Sequence, residues 1–548
     1  MAEGIAILAR AVGGSMGPNG RTMIFDRGRF NQPVVTKDGV SIAKEIILTD
    51  PLMELGRRIA YEAADRTNRS AGDATTCAVI LINALVQEGL KHVIARRNVI
   101  QLRNGMEIAC KAAVEYLNNL TVSVNTQEEL CAVATVSSQD KQIGRIVSEI
   151  MYAVGKDGTI VTDVKQGTPG MEWERIEGMS IDRGYWSPMF INDSRRVQFN
   201  AENVYVLCTD ERILTQDQLI PSLLALADFC AKNGKGIPHV LLIAPHFEGS
   251  AIDLCLGNKQ AGKMVTCLVR APYYADMMQE CLLDIATYTG GKFCSEHYGH
   301  VLPRKMGEGK LDDFGFCKRI IVTDEKTTLI GGNGDQKKID ERVVTLKGIV
   351  DSLEDKFKNE STRERISRLT SSVGVVRCAA LTEIATEELR FRVDDALCAA
   401  RAAIEEGIIP GGGVGMLRAY QCLQNMGEGL TDDERVGFNI VRDSLLIPAT
   451  QIANVAGEKG DVITHMILHG NEYSRGSKLS DKLKKKDPRN IGYDITTKEY
   501  VDMVSSGIID PKKAIRCALE NAVSVAGTFL TAEGAGIDLP EPTPGKAQ

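Results

Sequence analysis

A chain of 548 residues is too long for one hydrophobic core and should divide into about three domains. Its 65 basic and 72 acidic residues leave a net charge of -7, which argues against a nucleic-acid binder, and 43% hydrophobic residues exclude wholesale disorder. Met1-Ala2-Glu3-Gly4 lacks the basic start of a signal peptide, and no uninterrupted run of about 18 apolar residues marks a membrane span.

The first part reads as helical. Apolar residues recur at three and four from Thr76 to Arg97 and again from Gln101 to Leu117. From about Gly158 short β-branched runs take over: 159–162, 204–207, 239–243 and 319–322, with helical stretches such as Gln216 to Lys232 between them. That alternation signals an α/β domain. A charged helical hairpin follows, Glu341 to Phe357 and Thr362 to Leu369, and then a strand, Val373 to Arg377. Asp394 to Glu406, Asp432 to Ala456 and Pro511 to Glu533 read as helical again. The order is helical, α/β, helical, so a central insert interrupts a discontinuous outer domain. Lys478 to Arg489 is a basic run that reads as a solvated loop, and Leu539 to Gln548 reads as an unstructured tail.

Several apparent motifs fail on chemistry. Gly257 to Met264 nearly spells a phosphate-binding P-loop, but Met264 stands where a hydroxyl must ligate magnesium, and the stretch closes a helix instead of opening one. Cys294, His297 and His300 lack a fourth ligand and a recognised zinc spacing, and His465 and His469 lack the Glu of a hydrolytic zinc helix. The 14 cysteines are scattered without C-x-x-C spacing and read as buried free thiols of a reducing cytoplasm.

Stronger signals come from glycine-rich segments that carry acids. Ser15-Met16-Gly17-Pro18 follows a helix, Thr36-Lys37-Asp38-Gly39 follows a strand-like run, and Gly72-Asp73-Ala74-Thr75-Thr76 leads into the long helix near Thr76. Pro410-Gly411-Gly412-Gly413 opens another helix. Small residues at a helix N-terminus leave backbone N–H groups free, the helix dipole adds positive potential, and phosphate binds there without a lysine. An Asp at the same point holds magnesium while the phosphates supply further ligands.

Taken in this order, the segments resemble the group I chaperonins, the bacterial and mitochondrial folding chambers. The likeness runs from about Ala9 to Pro540 and includes Glu177-Gly178-Met179, Asp182 to Tyr185, Asp284 to Thr287, Asp394 to Leu397, Gly507 to Pro511 and Ser524 to Gly527. The resemblance implies a multidomain chaperonin fold. It has a mostly α-helical equatorial domain (1–119 and 406–548), a small α/β intermediate domain (120–176 and 374–405) and an α/β apical domain (177–373). It also implies an ATP hydrolase that assembles into a homo-oligomeric, seven-membered ring, binds unfolded polypeptides and promotes their folding. A ring scaffold or holdase with impaired ATP cycling is the alternative.

On this resemblance ATP, Mg2+ and K+ are the cofactors. Gly17, Pro18 and the Gly72 to Thr76 amides, with Met16 and Cys77 beside them, would cradle the phosphates. Asp73 would ligate magnesium, and Asp38 and Asp395 would act in hydrolysis. Gly412 and Asp510 would contact the ribose, and Ile508 and Asp494 would lie on the base side. Potassium would sit by Ser15, Lys37 and Thr76. Non-native chains would meet Tyr185, Met189, Phe190, Ile220, Leu223, Ile252, Leu256 and Asn258. For Ile220 and Leu223 the competing reading is that they face the apical core, and surface display is the preferred one.

The chain also departs from the family pattern. Ala74 stands where the family has Gly, Asp494 where it has Asn and Ser372 at a hinge that is normally Gly. Leu256-Gly257 replaces a Val pair, Asp253 adds a charge, and the 478–489 run falls where rings meet. Divergence on this scale suggests a phage-borne chaperonin working in a bacterial cytoplasm, with a lid-like co-chaperonin as a further partner.

Overall fold

The computed structural model describes every residue except 27–33, 125, 156–157, 166–168, 194–196, 353–355, 371, 474–485 and 537–548. The first eight residues of the basic 478–489 run and the whole 539–548 tail therefore lie outside the described residues. The chain forms two compact units. One comprises 1–152, 162–172 and 377–548, and the other 153–161 and 173–376. The second unit nearly coincides with the apical domain expected at 177–373. The stretches expected to form an intermediate domain fall mostly into the first unit.

The first unit is helical. Its core is built from Ala2–Gly13, Pro51–Ala71, Thr75–Ile94, Val99–Leu120, Asp432–Ser444 and Lys512–Thr531. Local chemistry sets the ends. Asp50 accepts from the Met53 N–H (2.8 Å) with Pro51 just inside the start, Asn98 caps Val99–Leu120, and Thr431 with Glu434 forms a capping box. Thr75–Ile94 is apolar on nearly every side, since Cys77 to Ile82, Leu85 and Val86 are all buried. It is long and apolar enough to cross a membrane, but those side chains serve as the centre of the unit's core. Gln127–Ser138, Lys141–Val154 and Glu383–Glu406 belong to the same unit, and Val133, Ala399, Ala403, Ile408 and Ile509 form a smaller apolar cluster there.

The second unit is built on a mixed sheet. Thr327–Gly332 pairs with Gly315–Val322, which pairs with Phe199–Thr209; then His239–Ala244 and Val265–Arg270 follow in parallel. Val240 to Ala244 are buried without alternation, as expected of parallel strands covered on both faces. Ile220–Lys232, Ser250–Gln260 and Ala275–Thr289 are its helices. The charged hairpin is longer than its periodicity suggested, Gln336–Ser352 and Lys356–Thr370. An ion cluster pins it: Arg365 Nε meets Asp284 Oδ2 at 2.6 Å, Arg342 Nε meets Asp284 Oδ1 at 2.8 Å, and both guanidinium groups reach Glu280.

Several sequence readings shift. Gln216 to Lys232 is a 3-10 turn, Gln216–Gln218, followed by the helix Ile220–Lys232. Asp432 to Ala456 breaks into Asp432–Ser444 and Ile447–Val455, because Pro448 fits only the first turn of a new helix. The false P-loop is the end of helix Ser250–Gln260 and the turn after it, with Met264 buried. All 14 cysteines are free and most are buried.

Candidate functional site

The site lies in the first unit, around the start of Thr75–Ile94. That helix has no side-chain cap and no acid in its first turn, so its leading N–H groups stay available. The preceding helix ends at Gly72 in the left-handed conformation (φ 68°), and Ala74 follows at φ 62°, ψ 20°. Ala74 therefore adopts the glycine-like angle that its substitution for Gly made the critical question, at a cost of about 1–2 kcal/mol. Asp73 Oδ1 accepts from the Ala74 N–H at 2.5 Å.

Two close approaches bring the other acids to this loop. A Cβ on Gly39 would stand 2.5 Å from Thr76 Oγ1 and 2.7 Å from Thr75 Oγ1, so the turn after Asp38 lies directly against the helix start. Asp38 caps Gly39–Glu45 by accepting from Ser41 N (2.8 Å) and Val40 N (3.3 Å). Likewise a Cβ on Gly72 would stand 2.2 Å from the Cys398 Cβ, which brings one face of Glu383–Glu406 onto the loop. Asp395 lies three residues before Cys398 on that helix. From the opposite side Ile409 pairs with Asp510, whose carboxylate accepts from the Gly412 and Gly413 N–H groups.

The electrostatics of this cluster are lopsided. Burial, and then the charges of Asp38, Asp73 and Asp394, push Asp395 well above the ordinary carboxylate value. Burial raises Asp73 too, opposed by bonds from Ala74 and Ser137 and reinforced by Asp38. Burial and Asp73 together push Asp510 to about 7. The Cys77 and Cys398 thiols rise to about 12, through burial first and then neighbouring carboxylates. Among the described residues no lysine or arginine contributes to the shifts of Asp73, Asp395 or Asp510. Among the described residues no three His, Cys, Asp or Glu side chains stand close enough to hold a metal by themselves. The donor set fits a divalent cation that takes one carboxylate here and the rest of its ligands from a bound polyanion.

The other expected site residues fall as follows. Ser15 Oγ donates to Val12 O at 2.8 Å, and Gly17 has φ 76°. Met16 packs against the helical core, and Cys77 is buried at the helix start. Ile508 O accepts from Gly411 N, which ties the base-side segment to the glycine turn. The Asp494 carboxylate is occupied by its own turn, accepting from Thr496 N (2.8 Å) and Thr497 Oγ1 (2.9 Å). Sequence reasoning missed two residues: Ser137, which bonds Asp73, and Gln139, whose Nε2 donates to Gly17 O at 3.0 Å. Both sit at the end of Gln127–Ser138, where nothing in the sequence distinguishes them from surface polar residues.

In the second unit the expected polypeptide-binding residues divide. Met189 is 63% exposed, while Tyr185, Ile220, Ile252, Leu256 and Asn258 are half-buried. Phe190 and Leu223 are corrections: both are buried in the unit's apolar core and unavailable to a bound chain. The helix starting at Ile220 turns Leu224 outward instead, 47% exposed. Lys259 fastens the extended segment, donating to Met189 O (2.8 Å) and Ile191 O (2.6 Å). Ser372, the altered hinge residue, is buried and accepts from Arg175 Nε at 2.7 Å.

A discontinuous helical unit with an acid-ringed helix start, and an α/β unit inserted into its sequence, define a multidomain class of protein. The chain belongs to the TCP-1/cpn60 chaperonin family, whose model matches residues 8–223 and 261–534. Among solved structures it resembles the chaperonin gp146 from the Pseudomonas aeruginosa bacteriophage EL, crystallised in the presence of ATP-BeFx. The TM-score is 0.62 at 22% identity, over 97% of this chain and 96% of that one. That likeness establishes the chaperonin fold.

Proposed function

We propose that the chain is an ATP-hydrolysing chaperonin subunit that assembles into rings, captures non-native polypeptides and drives their folding through nucleotide-dependent domain movement. One observation carries the proposal: carboxylates without a cationic partner among the described residues crowd around an open helix N-terminus. Such a site suits a polyphosphate that brings its own magnesium.

In this reading the Thr75, Thr76 and Cys77 N–H groups and the Gly17–Pro18 turn hold the phosphates. Asp73 offers the magnesium ligand, and Ser137 orients its carboxylate. Bound magnesium would neutralise charge on the phosphates during transfer. Asp38, fixed by its own capping bonds, and Asp395 position the attacking water and take up its proton. Potassium would sit beside Ser15, Lys37 and Thr76. Asp510 and Gly412 hold the ribose, and Ile508 packs near the base. Asp494 contributes less than an Asn would, because its oxygens already serve Thr496 and Thr497. Asp395 already stands against the Gly72 loop within one unit, which supports a complete catalytic set.

On the second unit, Tyr185, Met189, Ile220, Leu224, Ile252, Leu256 and Asn258 form the surface offered to unfolded chains. The division into equatorial, intermediate and apical domains, a seven-membered ring, a co-chaperonin and a bacterial cytoplasm complete the proposal. The scaffold alternative predicts no turnover at all. Magnesium-dependent ATP hydrolysis by wild type and by Asp395→Ala tests the proposal. The variant should lose about 100-fold or more in turnover while still binding nucleotide. Equal rates would remove Asp395 from catalysis, and no turnover by either protein would favour the scaffold.

A further inference from the structure

A second site is built into the first unit, away from the four aspartates. A cavity of about 150 Å³ is lined by Tyr116, Arg418, Gln421, Met466, Arg489 and Tyr500, among others. Arg418 is its unusual member, being only 6% exposed. Its Nε donates to Arg489 O (3.2 Å), Nη1 to Gln421 Oε1 (2.8 Å) and Ile467 O (3.4 Å), and Nη2 to Ile491 O (2.8 Å). All four acceptors are neutral, and among the described residues no carboxylate pairs with it.

Those bonds account for the position of the guanidinium but leave its charge uncompensated. A buried cation without a counter-charge is costly, and native structures pair such groups. One of its five N–H groups also remains without an acceptor among the described residues. The Tyr116 hydroxyl, which senses the charges of both Arg418 and Arg489, makes no hydrogen bond with a described residue. At the rim Arg489 is held by Asp487 (2.7 Å), so that pair is neutral overall; Asp487 also acts on Arg418 through space, as a lesser influence than its burial, and makes no direct bond to it.

We propose that this cavity is a binding site for a small tetrahedral oxyanion of the phosphate or sulfate type, held by Arg418 and Tyr116. The donor pattern selects the shape. A carboxylate would use the two-pronged edge of the guanidinium, but Nε and Nη2 are both already engaged with carbonyls. The remaining donors, one Arg418 N–H and the Tyr116 hydroxyl, are single donors on separate side chains, which a tetrahedral anion can meet with separate oxygens. About 150 Å³ is the room of roughly five waters, enough for such an ion.

The test uses the full-length chain without nucleotide. Crystals grown free of sulfate and phosphate are soaked in selenate, whose anomalous signal locates the ion, and phosphate is titrated calorimetrically in chloride buffer. The proposal expects a selenate peak beside Arg418. It expects phosphate affinity about five- to tenfold weaker in Tyr116→Phe and lost in Arg418→Gln, with acetate binding more weakly than phosphate to wild type. Melting curves establish that each variant is folded, and Tyr116→Phe keeps the test decisive if Arg418→Gln is not. Selenate found only at the start of Thr75–Ile94, phosphate affinity unchanged in Tyr116→Phe, or acetate preferred over phosphate would each overturn the proposal.

Discussion

Asp284 and Asp73 show two ways of keeping aspartates out of bulk water. In the inserted unit Asp284 is buried beside Glu280, and Arg342 and Arg365 close on both carboxylates with charged hydrogen bonds of 2.5–3.0 Å. In the helical unit Asp73, Asp395 and Asp510 are crowded with Asp38, and no cation among the described residues relieves them. The first arrangement is complete within the protein and fixes a helical hairpin to the helix Ala275–Thr289. On the proposed function the second is complete only with a ligand, because like charges held together store free energy that a bound cation would release. Structure and function thus use the same residue type with opposite neighbours.

The largest expected effect breaks the complete side of this contrast. Arg365→Met leaves Asp284 and Glu280 short of a partner and should cost about 3–5 kcal/mol in denaturant unfolding of the inserted unit. A loss below about 1 kcal/mol would mean that the cluster does not hold the hairpin. A smaller effect sharpens the other side. Ala74→Gly removes the left-handed strain at the loop and should raise stability by about 1 kcal/mol, after allowance for the freer unfolded chain. A decrease would show that the Ala74 geometry is relaxed.

The smallest effect concerns an ordinary ion pair for calibration. Arg516 and Lys512 hold Glu406 down to about 2. A carboxylate depressed in the folded state stabilises above its unfolded value, near 4.5, and that stability is lost as pH falls from there toward about 2. Because the group is partly solvated, Glu406→Gln should cost only about 1 kcal/mol at neutral pH and nothing near pH 2, as read from melting curves across that range.

How much of this was legible in the sequence follows from where each signal lives. The strand at His239–Ala244 was readable because a continuous apolar run reports burial on both faces. Pro51–Ala71 was not read, because much of its sequence is polar and only one stripe of alanines reaches the core. The first half of Glu383–Glu406 was hidden in the same way by its charged residues. Leu223 was assigned to the surface and its neighbour Leu224 overlooked, since an error of one residue rotates a helix position by about 100°. The loop acids were legible because glycines and acids at helix starts carry their own chemistry. Ser137, Gln139 and the isolation of Arg418 were not, because they depend on which segments meet in space.

If the acid cluster waits for a cation delivered with a polyphosphate, the two ligands should act only together. Thermal unfolding of the wild-type chain with magnesium alone, ATP alone and both together tests it most directly. The account predicts little change with either alone and, at saturation, about 3–4 kcal/mol of added stability with both. A full shift from magnesium alone, or from ATP in the presence of a chelator, would contradict it.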